Sequence, residues 1–302
     1  MKYKGLIKLA ISVIMLTLII RLTDFDKLSA TVRSLSLSSV IIVVLIFSVG
    51  QILSAFKWFN ILKASGIHVS FPHVLRSYFI GMFVNCFGFG TVGGDVTRAL
   101  MVAGSEHSKV TALSSVIADR AHGLAVLATI GSLVTLFFGS RYLAPEYSYL
   151  MVAVGVSAIL GWFIGPFLVR KIFSEQNPFR IKMENVLKAF PHDPKVILVI
   201  TLISIVFHTL QISLHYLMGY FLFLDLPMSE LFIIIPIINI LATLPISWNG
   251  LGVREQAYTF FLAPHLVSIE QALTFGALWL LSVTVCSAIG GLLSAMSPKI
   301  QK

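Results

Sequence analysis

Long apolar runs separated by short polar segments follow one another along the whole chain. A helix needs about 20 mostly apolar residues to cross a bilayer, and about six runs approach that length. The sequence does not show the regular alternation of apolar and polar residues that would predict a β-barrel. The predicted spans cover about residues 5–20, 37–59, 109–138, 144–169, 196–224 and 269–296.

Two further apolar runs, residues 77–89 and 231–244, are too short to cross comfortably and lead into broken stretches. Residues 85–99 read NCFGFGTVGGDVTRA, and residues 244–256 read LPISWNGLGVREQ. Unpaired backbone groups and central charges are both costly in lipid. We therefore predict that each stretch forms the tip of a re-entrant helical hairpin that faces a cavity. The residues predicted to shape these turns are Gly93, Gly94, Pro245, Gly250 and Gly252.

The basic residues of the polar segments predict the orientation of the chain. Residues 57–76 contain several basic residues but no acid, and residues 170–195 are also strongly basic. Basic loops stay in the cytoplasm, so both loops and both termini are predicted to be cytoplasmic. Arg21 directly follows the first apolar run without a small-residue cleavage site. This pattern predicts an uncleaved first span of a multi-pass protein of the cytoplasmic membrane.

In this orientation the chain divides into two blocks with the same order of elements. Residues 1–140 give two spans, a hairpin and a span that start inside, and residues 141–302 give the same series starting outside. Such an inverted repeat is typical of secondary transporters with a binding site near the midplane. The predicted fold class is an all-α polytopic membrane protein with about six full transmembrane helices plus two re-entrant helical hairpins in an inverted repeat. The whole chain, residues 1–302, is predicted to be a single transmembrane domain.

The basic loop at residues 170–195 contains one predicted short helix. Asn177-Pro178 is a typical helix start, with proline at the first helical position. An apolar face follows, and it either lies on the cytoplasmic membrane surface or packs on the protein. The residues of that face are Phe179, Met183, Val186, Leu187 and Phe190.

Composition excludes several classes of function. Only 12% of the 302 residues are charged while 57% are hydrophobic, and no polar stretch is long enough for a soluble catalytic domain. The net charge of +9 is explained by basic cytoplasmic loops rather than by nucleic-acid binding. Cys86 and Cys286 lack disulfide or metal spacing. No catalytic constellation is present, so we expect a protein that is not an enzyme and needs no metal or cofactor.

The two broken stretches carry most of the candidate binding residues. Arg254 and Glu255 open the returning helix of the second stretch, where free amides and an arginine together suit an anionic head group. The alternative is that both charges pair with neighbours and pin the hairpin. In the first stretch we predict Asp95 to be a helix N-cap that also pairs with Arg98, and Arg98 to contact a ligand.

A third group of charges, Asp119, Arg120 and His122, lies far inside a predicted span. These residues are predicted to be buried against the hairpins, and they serve either as a proton relay or as a static ion pair. The predicted substrate-binding residues are Arg98, Arg120, Arg254, Asn85 and Asn249. The residues predicted to balance charge or to couple protons are Asp95, Asp119, His122 and Glu255.

Polar residues also form a stripe on the predicted span at residues 196–224. The stripe comprises Ser204, His208, Gln211 and His215. It either lines a polar cavity or makes hydrogen bonds between helices. Asn239 and Thr243 share a face that leads into the second broken stretch, and the same two interpretations apply to them.

Three motifs resemble those of one known family. The sequences GTVGGDVTRA, DRAHGLAVL and LPISWNGLGVREQAY occur in this order and are similar to the lysylphosphatidylglycerol synthase transmembrane (flippase-domain) family. This resemblance covers nearly the whole chain. One departure precedes the first glycine pair, where Gly88-Phe89-Gly90-Thr91 stands at a place where the family often has a proline.

The resemblance implies lipid handling, because in the two-domain proteins this module is taken to flip an aminoacylated phospholipid between leaflets. The sequence carries no soluble synthase domain, so we expect a stand-alone member that does not make such a lipid. The residues marked by the family motifs are Gly93, Gly94, Asp95, Arg98, Asp119, Arg120, Pro245, Gly250, Gly252, Arg254 and Glu255.

These observations lead to two hypotheses of different classes. The first is a lipid translocase (flippase) that moves a phospholipid or a polyprenyl-phosphate-linked sugar across the cytoplasmic membrane. The alternative is an accessory membrane subunit that presents lipid to a lipid-modifying enzyme. The expected partners are a membrane lipid substrate and, as protein partners, such an enzyme or a second copy of the chain. The proposed inverted pair of broken stretches carries one geometric expectation: Arg98 and Arg254 approach each other near the middle of the membrane.

Overall fold

The structure is a computed structural model, which describes residues 24–87, 90–105, 107–243, 250, 252–262 and 268–296, without the side chains of residues 90, 91, 166, 182 and 185. The regular elements of this part of the chain are all α-helices, which confirms the predicted all-α class. In chain order the helices are α1 (Phe25–Ser34), α2 (Leu37–Ala64), α3 (Phe71–Phe87), α4 (Gly90–Ala103), α5 (Lys109–Tyr142), α6 (Pro145–Ile172), α7 (Pro178–Leu187), α8 (Pro194–Phe221), α9 (Met228–Thr243), α10 (Val253–Leu262) and α11 (Ile269–Ala295).

Five of these helices, α2, α5, α6, α8 and α11, are long and apolar enough to cross a membrane. They correspond to five of the six predicted spans, and the remaining one, residues 5–20, lies outside the described residues. A polytopic membrane protein is therefore confirmed. The division into two inverted repeats at residues 1–140 and 141–302 stays a prediction.

Local sequence signals explain where the long helices begin. Ser108 caps α5 by accepting the N–H of Thr111, and Ser36 caps α2 in the same way. At the start of α11, Ser268 and Gln271 form a capping box in which each side chain accepts the backbone N–H of the other residue. These caps satisfy N–H groups that have no partner inside the helix.

The first broken stretch folds as an antiparallel pair, α3 and α4. Near one end the imidazole of His73 lies 3.1 Å from the carbonyl oxygen of Met101, and near the other the N–H of Gly94 donates to Asn85 Oδ1 over 2.9 Å. The two backbones are so close at Gly94 that an added Cβ would overlap the carbonyl oxygen of Gly81. Glycine at this position therefore permits tight packing of the pair.

One expectation about this stretch is wrong. Asp95 was predicted to be the N-cap of a helix that starts there, but α4 begins at Gly90, which places Asp95 inside the helix. The expectation that Gly93 and Gly94 shape a turn is also wrong, because both lie inside α4. At Gly94 the close approach of α3 compensates for the low helix propensity of glycine.

The second broken stretch, residues 244–256, connects α9 to α10, and it is only partly described. Gly250 and Gly252 have φ values of +78° and +81°, a conformation that residues with a side chain rarely adopt. Arg254 at the start of α10 donates from NH1 to Asn239 Oδ1 on α9 over 2.8 Å. Pro245 and Asn249 lie outside the described residues, so their predicted roles stay predictions.

Helix α11 joins the two pairs, since it packs against both α3 and α10. At Gly290 the backbone of α11 lies directly on that of Phe79 in α3. The largest buried apolar cluster contains Tyr258 of α10 and Phe275 of α11. This packing places the polar ends of both pairs beside one another.

Helix α7 is the predicted short helix of the basic loop. Asn177 caps it by accepting the N–H of Phe179, and Pro178 occupies the first turn. Helix α7 packs against α5 and α6, and Met183 and Leu187 line a groove beside them, whereas Phe179 is half exposed. The apolar face therefore packs partly on the protein, which favours the second of the two predicted arrangements.

Candidate functional site

A cavity of about 240 Å³ lies where the two helix pairs meet α2, α5, α8 and α11. It is mostly apolar on the side of α11 and strongly charged on the side of the pairs. Arg98, Arg120 and Arg254 all line it, so side chains from both broken stretches converge on a single cavity. Its polar and aromatic lining includes Gln51, Tyr78, Asn85, Asp95, Arg98, Arg120, Gln211, Arg254, Glu255 and Trp279.

Arg98 is the most firmly held of the three arginines. It donates from Nε to Asp95 Oδ1 over 3.2 Å and from NH2 to Asp119 Oδ2 over 3.0 Å. Its guanidinium carbon lies 4.5 Å from the ring centroid of Trp58 and 5.1 Å from that of Tyr78. The side chain is 5% exposed, yet its Nη1 has no acceptor among the described residues. One donor group of a buried arginine at the cavity is therefore unused.

Asp119 lies behind Arg98 and does not line the cavity. Lys57 Nζ lies 2.9 Å from its Oδ1 and donates to its backbone carbonyl over 3.0 Å. Both side chains are almost fully buried. Lys57, Arg98 and Asp119 thus form a buried charge cluster that ties α2, α4 and α5 together.

Lys57 is a residue that the sequence interpretation misplaced. It was assigned to a cytoplasmic polar segment at residues 57–76, but α2 continues to Ala64 and takes Lys57 into its buried face. Ser54 and Ile61, one helical turn on either side, are also buried. This spacing was the available signal, because residues three and four apart share a helix face.

Arg120 forms the second ion pair of the site, with Asp95. Its Nε and NH2 donate to the two carboxylate oxygens over 2.9 and 3.0 Å, a paired geometry that adds both strength and direction. Three cations, Lys57, Arg98 and Arg120, face two carboxylates, Asp95 and Asp119. This network therefore carries one excess positive charge.

Arg254 has a different environment. Its hydrogen bond goes to the neutral amide of Asn239, and its guanidinium carbon lies 5.0 Å from the ring centroid of Trp279. No carboxylate among the described residues forms an ion pair with it. Glu255, the adjacent acid, instead accepts the N–H of Gly252 over 2.7 Å. The positive charge of Arg254 is therefore not neutralised by its neighbour.

The polar stripe on α8 divides between the two predicted interpretations. His208 lies 2.9 Å from the carbonyl oxygen of Gly123, and His215 lies 2.8 Å from the hydroxyl of Tyr258; these are contacts between helices. Gln211 lines the cavity instead, and neither polar atom of its buried amide has a hydrogen-bond partner among the described residues. Because Gly50 has no side chain, there is room for this amide, and a Cβ at that position would overlap it.

His122 is directed away from the cavity. Its Nε2 lies 3.1 Å from Thr201 Oγ1 on α8, and its ring stacks edge-on against Trp162 at 5.2 Å. The proton-coupling role predicted for His122 stays a prediction without a cavity contact. Within the described residues, no group of three or more His, Cys, Asp or Glu side chains is arranged to hold a metal ion.

Fold and site together define a class of protein, a polytopic helical membrane protein with a charged cavity between two short helix pairs. Residues 5–290 match the family model described as the lysylphosphatidylglycerol synthase TM region, and the chain belongs to that family. The resemblance expected from the three motifs is therefore confirmed.

The chain is also similar to the UPF0104 membrane protein PH1989 of Pyrococcus horikoshii. The two are 26% identical over 160 residues, which cover 51% of this chain and 46% of that protein. The match thus spans about half the length of each chain.

Proposed function

We propose that this protein is a lipid translocase that moves a lipid with an anionic or zwitterionic head group across the cytoplasmic membrane. The observation that carries the proposal is the convergence of Arg98, Arg120 and Arg254 on one cavity. Intramembrane charge is costly and is usually retained for function. Membership of a lipid-related membrane family supports the same proposal.

The arrangement of donors suits a phosphate group. Arginine binds phosphate through two parallel N–H groups, and Arg254 keeps its charge without a carboxylate partner. Arg98 contributes an unused N–H, and the Gln211 amide is available for hydroxyl or amine groups on the head. In the proposed mode, the head group binds between the two helix pairs while the acyl or prenyl chains stay in the surrounding lipid.

Translocation then requires the cavity to open to each side in turn. We place this motion between the two predicted repeats, with the head group held by Arg254 on one side and by Arg98 on the other. Asp95 and Asp119 lower the net positive charge of the site. A bound phosphate is therefore released more easily than it would be from the arginines alone. The proposed substrate is a phospholipid or a polyprenyl-phosphate-linked sugar. In the proposed orientation, both termini lie in the cytoplasm.

The test is lipid transbilayer movement in vesicles reconstituted with the purified protein and a fluorescent phosphatidylglycerol. We expect Arg254→Ala to reduce the protein-dependent rate at least about tenfold, since a hydrogen-bonded charge contributes about 1.5–3 kcal/mol. Arg141→Ala is the matched control, because Arg141 lies at the exposed end of α5, outside the cavity. It should leave the rate unchanged.

Folding is checked by gel filtration and by the thermal unfolding midpoint in detergent. A folded Arg254→Ala protein that moves lipid at the wild-type rate contradicts the proposal. If the wild-type protein moves no lipid but co-purifies with a lipid-modifying enzyme in a fixed ratio, the accessory-subunit alternative replaces it.

A further inference from the structure

A second concavity lies at the basic end of the bundle, where α6 ends and α7 and α8 begin. It has a volume of about 650 Å³, and its lining includes Arg170, Arg180, Lys188 and His192 with a single carboxylate, that of Glu184. None of its lining residues belongs to the central cavity. It is therefore a separate site, independent of the proposed function.

The acids around this concavity are already engaged. Arg180 donates from Nε to Glu184 Oε1 over 2.9 Å and from NH1 to the carbonyl oxygens of Arg170 and Phe173. Asp193 accepts the N–H of Lys195 as the cap of α8. The hydrogen bonds of Arg180 thus hold α7 against the end of α6.

The other two cations of the rim remain available. Arg170 and Lys188 form no ion pair with a carboxylate of the described residues. They line the same concavity as Glu184. The hydrogen bond from Arg180 lowers the pKa of Glu184, and the charges of Arg170 and Lys188 lower it further. The rim carries excess positive charge at neutral pH.

An apolar groove of about 480 Å³ continues from this rim. The two concavities share Trp162, Leu187 and Phe190, and the groove runs between α5 and α6 as far as Thr243, the last residue of α9. The side chains that line the groove on the α5 side are small, namely those of Ala121, Ala125 and Ala128. The groove is thus an apolar channel that begins at a cationic mouth.

Two glycines on α6 show that no helix of the described residues fills this groove. A Cβ added at Gly161 or Gly165 would meet no heavy atom within 4 Å. Glycine in a helix interior costs about 1 kcal/mol relative to alanine, and small residues in membrane helices normally allow another helix to approach. Here the space is open, so it has the form of a chain-binding groove.

We propose that this composite surface binds one anionic phospholipid of the cytoplasmic leaflet. The phosphate lies at Arg170 and Lys188, and one acyl chain occupies the groove past Gly165 and Gly161. A soluble phosphate would leave the groove empty, and a neutral apolar molecule would leave the two cations without a partner. Trp162 lies where the two concavities join. Tryptophan is enriched at membrane–water interfaces, which agrees with a head group bound at this level.

The test uses the full-length protein in nanodiscs that contain a phosphatidylglycerol with a photoreactive group near the end of one acyl chain. We expect cross-links to peptides of α5 and α6 that contain residues 121–128 and 154–165. The double variant Arg170→Gln/Lys188→Gln should reduce this labelling about tenfold, as expected for the loss of charged hydrogen bonds. The matched control, Lys171→Gln/Lys195→Gln, removes the same charge from the same loop but outside the concavity and should keep the labelling.

A second pair of variants tests the groove. Gly161→Phe fills it and should abolish the labelling, whereas Gly161→Ala leaves room and should preserve it. Equal losses of labelling in both double variants would overturn the proposal, and so would unchanged labelling in Gly161→Phe. The proposal would also fail if millimolar glycerol phosphate displaced the probe as effectively as unlabelled phosphatidylglycerol does. A phosphatidylcholine probe should label at least about tenfold less, and equal labelling would also contradict an anionic-lipid site.

Discussion

The two arginines of the broken stretches have opposite environments. Arg98 on α4 is held by Asp95 and Asp119 and lies against two aromatic rings. Arg254 on α10 contacts a neutral amide oxygen, an indole ring and the Tyr258 hydroxyl, and none of these is a carboxylate. A buried arginine with two carboxylates is mainly part of the framework, and one without a carboxylate is suited to a ligand. The first helix pair is therefore the fixed half of the site, and the second presents the more available charge.

The largest expected effect is on stability, from breaking the fixed half. Asp119→Ala leaves Lys57 and Arg98 buried without their shared acid, and removing one partner of a buried ion pair costs about 3–5 kcal/mol. The thermal unfolding midpoint in detergent should fall strongly. Asp26→Ala, at an exposed position in α1, is the control and should behave like wild type. An unchanged midpoint in Asp119→Ala would show that the cluster does not hold α2, α4 and α5 together.

A smaller loss is expected from crowding the first helix pair. Gly94→Ala brings a Cβ against the backbone of Gly81 and the side chain of Asn85, and overpacking typically costs about 1–3 kcal/mol. Gly161→Ala, also within a helix but facing open space, is the matched control and should be neutral or slightly stabilising. Equal midpoints for the two variants would contradict the tight contact between α3 and α4.

The Asp95–Arg120 pair should contribute less than the Asp119 cluster. The Arg120 side chain is 42% exposed, so solvent screens the pair. Arg98, the other partner of Asp95, keeps its pair with Asp119. We therefore expect Asp95→Asn to cost about 1 kcal/mol. Its midpoint is measured beside that of Asp119→Asn, which is also nearly isosteric. If Asp95→Asn is the more destabilising of the two, the ranking of the two carboxylates is wrong.

The smallest stability effect is expected in the available half. Asn239→Ala removes the hydrogen bond from Arg254 to Asn239 but leaves the contacts of Arg254 with Trp279 and Tyr258, so the unfolding free energy should change by about 1 kcal/mol or less. Lipid movement in the vesicle assay should change more than stability, because the arginine loses its positioning contact. Unaltered movement would show that Asn239 does not orient Arg254 for a ligand.

Much of the fold could be predicted from the sequence because lipid imposes simple rules. Runs of apolar residues predicted the long helices, and the broken stretches predicted the two short pairs. Asp95 was misjudged as a cap because a glycine pair indicates equally a helix break and a close helix contact. Lys57 was missed because it lies near the end of an apolar run, where a lysine usually reaches the interface.

The pairing of charges could not be predicted. Arg120 is adjacent to Asp119 in the chain but pairs with Asp95, while Asp119 pairs with Lys57 and Arg98. Sequence spacing shows which residues share a helix face, but not which other helix that face contacts. The availability of Arg254 likewise depends on Glu255 binding the N–H of Gly252 instead, a contact fixed by the geometry of the turn.

The central claim is that a lipid head group binds between the two helix pairs, at Arg254. The most direct measurement is an electron cryomicroscopy map of the protein in nanodiscs containing phosphatidylglycerol, collected for wild type and for Arg254→Gln. We expect head-group density in the wild-type cavity, with its phosphate within hydrogen-bonding distance of Arg254, and no such density in the variant. A wild-type cavity without head-group density, or density in the cavity that persists unchanged in Arg254→Gln, would contradict the claim.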